Sequence, residues 1–302
     1  MGSTAITAGA LERAILETLL YSDLFDYPLA PEEVAQYLGG VRSTLDEVRA
    51  CLAQTHYLDG RVIEIDGYLA LRGREALIAR RLDRAASSDR LWQRARRFVR
   101  VLRLLPFVRM IAVTGSLAMK NSAAGDDIDV LIVTAPDRVW LTRAFAIALV
   151  YAGKLCGDTL CPNYVISERA LQLEKHTLFV AHELMQMVPA YGLDVYHRMR
   201  AANPWIQSLL PNAARPWQCE PEQHTWPIGR LLKRSLEWLL SGRLGDRLEA
   251  WEMRRKLHKF QSKLGRPHGD AILDHDHVKG HFDDYGEPVM RLFAERVAQL
   301  ER

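Results

Sequence analysis

The chain has 302 residues, 48% of them apolar and 25% charged, with a formal net charge of +3. That balance is ordinary for a folded globular protein with room for two or three domains. The four cysteines, Cys51, Cys156, Cys161 and Cys219, form no C-x-x-C pair, which excludes a disulfide framework in a chain this large. No basic stretch leads into an apolar core at the N-terminus, and the most apolar run, Ala144 to Ala152, is too short to span a bilayer. The expectation is a cytoplasmic protein with reduced thiols and no membrane partner.

Taken in order, Ala10 to Leu24 repeats Leu11, Ile15, Leu19 and Leu20 at helical spacing and ends at Tyr27-Pro28. Pro31-Glu32-Glu33 opens a second helix, with proline and acids in the first turn, running to Gly39-Gly40. Ser43 is predicted to cap a third helix, with Asp46 three residues on in a capping-box arrangement. Arg61 to Leu71 alternates as a short hairpin turning at Asp66-Gly67. Arg72 to Arg109 holds twelve arginines against Glu75, Asp83 and Asp89. It is expected to form one or two helices, broken near Ser87-Ser88 and ending before Pro106.

The stretch Val108 to Ala135 reads as strand, tight turn, short helix, loop and strand. Its first apolar run ends at Thr114-Gly115-Ser116, and its second begins within Asp126, Asp127 and Asp129. Strand side chains alternate between two faces, so Asp127 and Asp129 point the same way. Two adjacent carboxylates repel unless a cation lies between them, and Mg²⁺ takes such oxygens together with substrate phosphates. Gly115 lets backbone N–H groups approach a phosphate, and Ser116 adds a hydroxyl.

Beyond it, Val139 to Gly157 is expected to be an apolar helix, Thr159 to Ser167 a strand, and Thr177 to Met187 a helix stopped by Pro189. Tyr191 to Leu210 is read as further helix and Pro211 to Pro227 as a loop. Arg230 to Leu264 is read as an amphipathic helical region interrupted at Gly242 to Gly245. In Arg266 to Gly286, His275, Asp276, His277 and His281 allow a metal reading, but the interspersed Gly and Asp favour a loop folding over a pocket. A last helix covers Glu287 to Leu300.

Gly-Ser, ten further residues and Asp-Ile-Asp between two apolar strands resemble the signature of the nucleotidyltransferase superfamily typified by DNA polymerase β. Three helices followed by a hairpin resemble a winged helix-turn-helix. The resemblance implies an α+β fold: a nucleotidyltransferase fold on a small mixed sheet, an N-terminal winged helix domain and a C-terminal helical region. The expected limits are 1–73 for the winged helix, 74–107 for a basic connector, 108–212 for the core and 213–302 for the helical region.

Carried over by position, Gly115 and Ser116 would hold a nucleoside triphosphate. Asp127 and Asp129 would bind Mg²⁺ or Mn²⁺, Asp126 would stand where serine is common, and Lys120 would add charge. The third strand, which commonly brings a third carboxylate in this family, offers Asn163 instead, with Asp158 before it and Glu168 after it. An amide can ligate a metal but cannot act as a base. Asn163 and Glu168 are therefore the third-strand candidates, and the base is left unassigned.

The implied reaction is transfer of a nucleoside monophosphate from an NTP to a hydroxyl acceptor, with release of pyrophosphate. The acceptor could be a small molecule, a protein side chain or a nucleic acid. The alternative is a DNA-binding regulator whose transferase-like domain senses a nucleotide without turnover. The third helix sets Asp46 and Glu47 against Arg42 and Arg49, so a packing or partner-docking role for the N-terminal part stands beside DNA binding.

Overall fold

A computed structural model of the chain describes residues 8–54, 58, 60–154, 160–213, 220, 226–264, 272–279 and 285–300. Asp158, His281, Cys156 and Cys219 lie outside them. The chain is a mixed α+β protein built on two small sheets.

The N-terminal part is three helices and a hairpin: α1 (Ala8–Asp23), α2 (Pro31–Gln36), α3 (Leu45–Gln54), β1 (Val62–Ile65) and β2 (Tyr68–Leu71). Asp66 and Gly67 both have positive φ, as a two-residue primed turn requires. The cap of α3 falls one residue later than expected. The Glu47 N–H donates to Thr44 Oγ1 (3.2 Å), and the Thr44 N–H donates back to Glu47 Oε2 (2.8 Å). Arg49 is engaged by Glu32, so the exposed side of α3 carries no cationic surplus.

The basic stretch forms one unbroken helix, α4 (Ala76–Leu102). Ser88 does not break it. The residue is fully buried, and its hydroxyl accepts the Ser122 N–H at 3.0 Å. Nor are the arginines a uniformly solvated face. Arg81 grips the buried Glu33 through two bonds of 2.7 and 3.0 Å and stacks on Tyr27 and Tyr68. Arg74, just before α4, pairs with Asp23 and Asp26 (2.8 and 2.6 Å). These contacts fasten α4 to the N-terminal part.

The second sheet has the order β6-β3-β4-β5-β7, formed by β3 (Val108–Val113), β4 (Ile128–Thr134), β5 (Leu160–Ser167), β6 (Val188–Tyr191) and β7 (His277–Lys279). Only β4 and β5 are parallel. A parallel pair needs a crossover, supplied by α6 (Val139–Lys154). Two edge strands differ from the sequence reading. Residues 188–191 are strand, and Pro189 is accommodated because β6 lies at an edge. Gly192 follows with φ +75; a Cβ there would stand 2.0 Å from the Arg109 carbonyl oxygen, so only glycine fits. Part of the His-rich segment is likewise not loop but β7, paired antiparallel with β5.

Alternation along β4 sends its side chains to two cores. Ile128, Val130 and Ile132 face a cluster with Trp92, Phe98 and Trp140 from α4 and α6. Leu131 and Val133 join a cluster that runs without a break into the N-terminal helices. That second face is closed by α7 (Leu178–Gln186) and α8 (Leu193–Ala201), with the short α9 (Ile206–Leu209) beyond. Three more helices complete the chain: α10 (Pro227–Leu240), α11 (Arg243–Leu264) and α12 (Gly286–Leu300). Among the described residues no helix is long and apolar enough to cross a membrane.

Candidate functional site

The acidic start of β4 is held against the turn after β3. The Thr114 N–H donates to the Asp129 carbonyl oxygen (3.0 Å), which extends the β3–β4 pairing to the turn itself. Gly115 has φ +66, and a Cβ on it would stand 3.1 Å from Asp129 Oδ2. Glycine is required here by conformation, and the space it leaves belongs to the carboxylate. The helix after the turn, α5 (Gly115–Ala118), is a single turn. The geometry that matters is therefore the turn itself. Ser116 Oγ lies 3.0 Å from Ser122 Oγ, and its carbonyl accepts the Asn121 N–H (2.8 Å), so the loop closes back on the turn.

Asp127, just before β4, is exposed, and Asp129 within it is half-buried. Burial, then the charge of Asp127, pushes the Asp129 carboxyl up to about 6. Across the sheet, Cys161 is its register partner on β5, and the Cys161 thiol donates to Asp129. Burial and the same aspartate push that thiol up to about 11, so it stays a neutral donor. Among the described residues neither aspartate meets a lysine or arginine. Asp126 accepts the Ala123 N–H at 2.8 Å.

Two cavities meet beside the turn, and neither is lined by Asp127 or Asp129. One, of about 410 Å³, is lined by Gly115, Ser116, Asp126, Arg84, Tyr21 and His182 among others. The other, of about 200 Å³, is lined by Thr114, Asn163, Tyr164, His277 and Lys279 among others. Phe179, Glu183 and Tyr285 line both. Glu183 is thus exposed to the cleft, with protein crowded around it on both sides. That enclosure, opposed by Lys279 and aided by Asp129, pushes its carboxyl up to about 7. His182 beside it stacks on Tyr21 at 4.2 Å, and burial lowers its pKa to about 4, so the ring is neutral.

The expected residues are brought together unevenly. Gly115, Ser116, Asp127 and Asp129 form one cluster. Asn163 is the extra residue of an irregularity in β5, between Pro162 opposite Val130 and Tyr164 opposite Leu131, and it opens into the smaller cavity. Glu168 is not at the site. It lies beyond the far end of β5, roughly 20 Å from Cys161 at strand spacing, and pairs with Arg198. Lys120 is turned aside too, with its ammonium 3.2 Å from Asp89 Oδ1 on α4.

The carboxylate that sequence reasoning did not place here is Glu183. Its signal was an acid amid the apolar residues of Leu178 to Met187, which allowed a pocket acid but favoured a helix-surface or core position. Among the described residues no group of three or more His, Cys, Asp or Glu side chains could hold a metal ion. What is present is a pair of carboxylates beside a positive-φ turn. No protein-family model, curated protein or solved structure matches this chain.

Proposed function

We propose that the chain is a Mg²⁺-dependent nucleotidyltransferase on a nucleotidyltransferase fold, moving a nucleoside monophosphate from an NTP to a hydroxyl acceptor. The observation that carries this reading is the fit of Gly115 to Asp129: a positive-φ turn that lines a 410 Å³ cavity and packs directly on a carboxylate that meets no lysine or arginine among the described residues. That size lies in the range of small-molecule sites.

The residues fit a hard divalent ion in one mode only. Asp127 and Asp129 repel each other, and no basic side chain among the described residues neutralises them. Two protein carboxylates would suffice if substrate phosphates complete the shell. When bound, Mg²⁺ would supply charge neutralisation for the triphosphate and its leaving group.

The chain's own groups then have separable roles. The Gly115 and Ser116 turn orients the triphosphate. Asn163 and Lys279, in the adjoining cavity, contact the acceptor. Glu183, between the two cavities, takes the proton of the acceptor hydroxyl as its oxygen attacks the α-phosphorus. A carboxyl raised to about 7 is matched to that task near neutral pH. The bond from the α-phosphorus to the bridging oxygen breaks, and pyrophosphate leaves.

Calorimetric titration with each NTP, with and without Mg²⁺, tests the reading on wild type and on Asp127→Asn/Asp129→Asn. Metal-dependent binding that the double variant loses is the expected result. Equal affinity in both would overturn the assignment of these aspartates. The regulator alternative draws no support from α3, whose exposed side includes Asp46 and Glu47 and whose Arg49 is paired.

A further inference from the structure

The helix α10 is built inside out. Its inward side carries Lys233 and Glu237, both engaged with the core of the protein. Lys233 Nζ donates to the carbonyl oxygens of Arg103 (2.9 Å) and Val108 (2.7 Å). Glu237 accepts the Phe107 N–H (2.7 Å) and Arg109 Nη1 (2.8 Å). These polar contacts fix the rotation of the helix about its axis. The opposite side therefore faces outward, and it is apolar. Ile228, Leu231, Leu232, Trp238 and Leu239, with Trp226 just before the helix, are between 55% and 81% exposed. In a helix these positions form one stripe, interrupted only by Ser235. Single exposed apolar residues need no explanation, but a contiguous stripe held out by buried polar anchors does.

Charge identifies what the stripe meets. Arg230, Arg234, Arg243 and Arg247 are exposed along α10 and the start of α11 and have no ion-pair partner among the described residues. The acids of the same two helices are all committed inward or internally. Glu237 is bound as above, Asp246 pairs with Arg138, Glu249 accepts the N–H groups of Trp140 and Leu141, and Glu252 pairs with Arg255. A second copy of this surface would thus offer the arginines only Asp246, already paired with Arg138. A nucleic acid would satisfy the arginines but leave aliphatic Ile228, Leu231, Leu232 and Leu239 without an apolar partner. A surface that is anionic outside and hydrocarbon within satisfies both sets, and tryptophan favours the boundary between them.

We propose that α10 lies in the headgroup region of an anionic lipid membrane and seats the protein on its surface, with Ile228, Leu231, Leu232 and Leu239 toward the acyl chains and the arginines toward lipid phosphates. This is attachment to one leaflet, and it needs no spanning helix.

Flotation of the full chain with phosphatidylcholine vesicles, with and without roughly one third phosphatidylglycerol, tests it. Binding to the anionic vesicles, with a blue shift in tryptophan emission that Trp238→Phe diminishes, is the expected outcome. Leu231→Asp/Leu239→Asp should weaken partitioning by roughly 100-fold. Arg230→Gln/Arg234→Gln should weaken it by about tenfold or more, and added salt should do likewise. All four positions are exposed, so the variants should keep the wild-type melting temperature.

Absence of binding to either vesicle would overturn the proposal. So would equal binding to neutral vesicles, or binding that survives the aspartate pair. A change from dimer to monomer in the aspartate variant, by light scattering and without lipid binding in the wild type, would assign the stripe to a second copy instead.

Discussion

Asp129 is held where its charge is unfavourable. Its carboxyl titrates near 6 in the folded protein against 3.8 as a free side chain, because burial and then Asp127 disfavour the ionised form. A raised acid pKa means that the folded state holds its proton longer than the unfolded state. Stability is then lost as pH rises from about 4 through about 6. Asp129→Asn should therefore melt with wild type at about pH 3, where the carboxyl is protonated in both states, and above it at about pH 8, by on the order of 2–4 °C if about 1 kcal/mol of repulsion is relieved. Thermal melts of both proteins from about pH 3 to about pH 8 check the sign; a gain at the acid end equal to that at about pH 8 would refute it. Nucleotide transfer should be lost in the same variant, as expected where a site is maintained against stability. Gly115→Ala tests the neighbouring position. A left-handed conformation costs a non-glycine residue roughly 1–2 kcal/mol, and the new methyl would crowd Asp129 Oδ2. A loss of that size in a denaturant titration should accompany about tenfold weaker NTP binding, measured by calorimetry on the folded variant.

Between elements, Glu33 of α2 and Arg81 of α4 form an ion pair that is almost fully buried and joined by two hydrogen bonds. Removing one partner leaves a buried charge uncompensated, so Arg81→Met should cost about 3–5 kcal/mol. The pair Glu33→Leu/Arg81→Met should recover most of it, because no buried charge remains. Denaturant midpoints for the two singles and the double form the cycle that decides this. A double variant as unstable as the single would show that the ion pair itself, rather than its disruption, sets the stability. None of this was legible in the sequence, where α4 reads as a charged helix with a serine break. Local patterns were legible: the Asp66-Gly67 hairpin and the strand-turn-strand around Gly115. Each is fixed within a few residues by backbone conformation or strand alternation. Ser88, Glu183 and the edge strands β6 and β7 were not, because their states depend on partners tens to hundreds of residues away. The same limit applies to α10, whose apolar stripe looks like a core-facing side until Lys233 and Glu237 are seen to face inward.

At the scale of the whole molecule, the N-terminal helices are not a separate bead. Their core continues into the face of the second sheet that carries Leu131 and Val133. Polar contacts cross at several points: Tyr27 Oη donates to the Met119 carbonyl oxygen (2.8 Å), the Gly40 N–H donates to Leu209 (2.8 Å), and Asn212 Nδ2 donates to Ala35 and Ser43 (2.7 and 2.8 Å). Arg296 of α12 reaches back to Asp23 of α1. Tyr21 of α1 and His182 of α7 stack in the wall of the larger cavity, so the N-terminal part also shapes the candidate site. An independently folding reader of DNA would be joined by a linker, and its melting would be indifferent to a ligand bound elsewhere. Here the buried side chains on both sides of the junction lose their cover together, each worth about 1.5–3 kcal/mol on exposure. Calorimetric unfolding of the full chain should therefore carry the N-terminal part and the second sheet through one transition. Arg81→Met should lower that transition as a unit rather than split it. Hydrogen exchange supplies the local test: amides of α1 and of β4 should open with the same free energy and shift together in the variant. If α1 exchanges several kcal/mol more easily than β4 in wild type, the shared core does not couple them, and the larger cavity has a wall that can leave without unfolding the sheet.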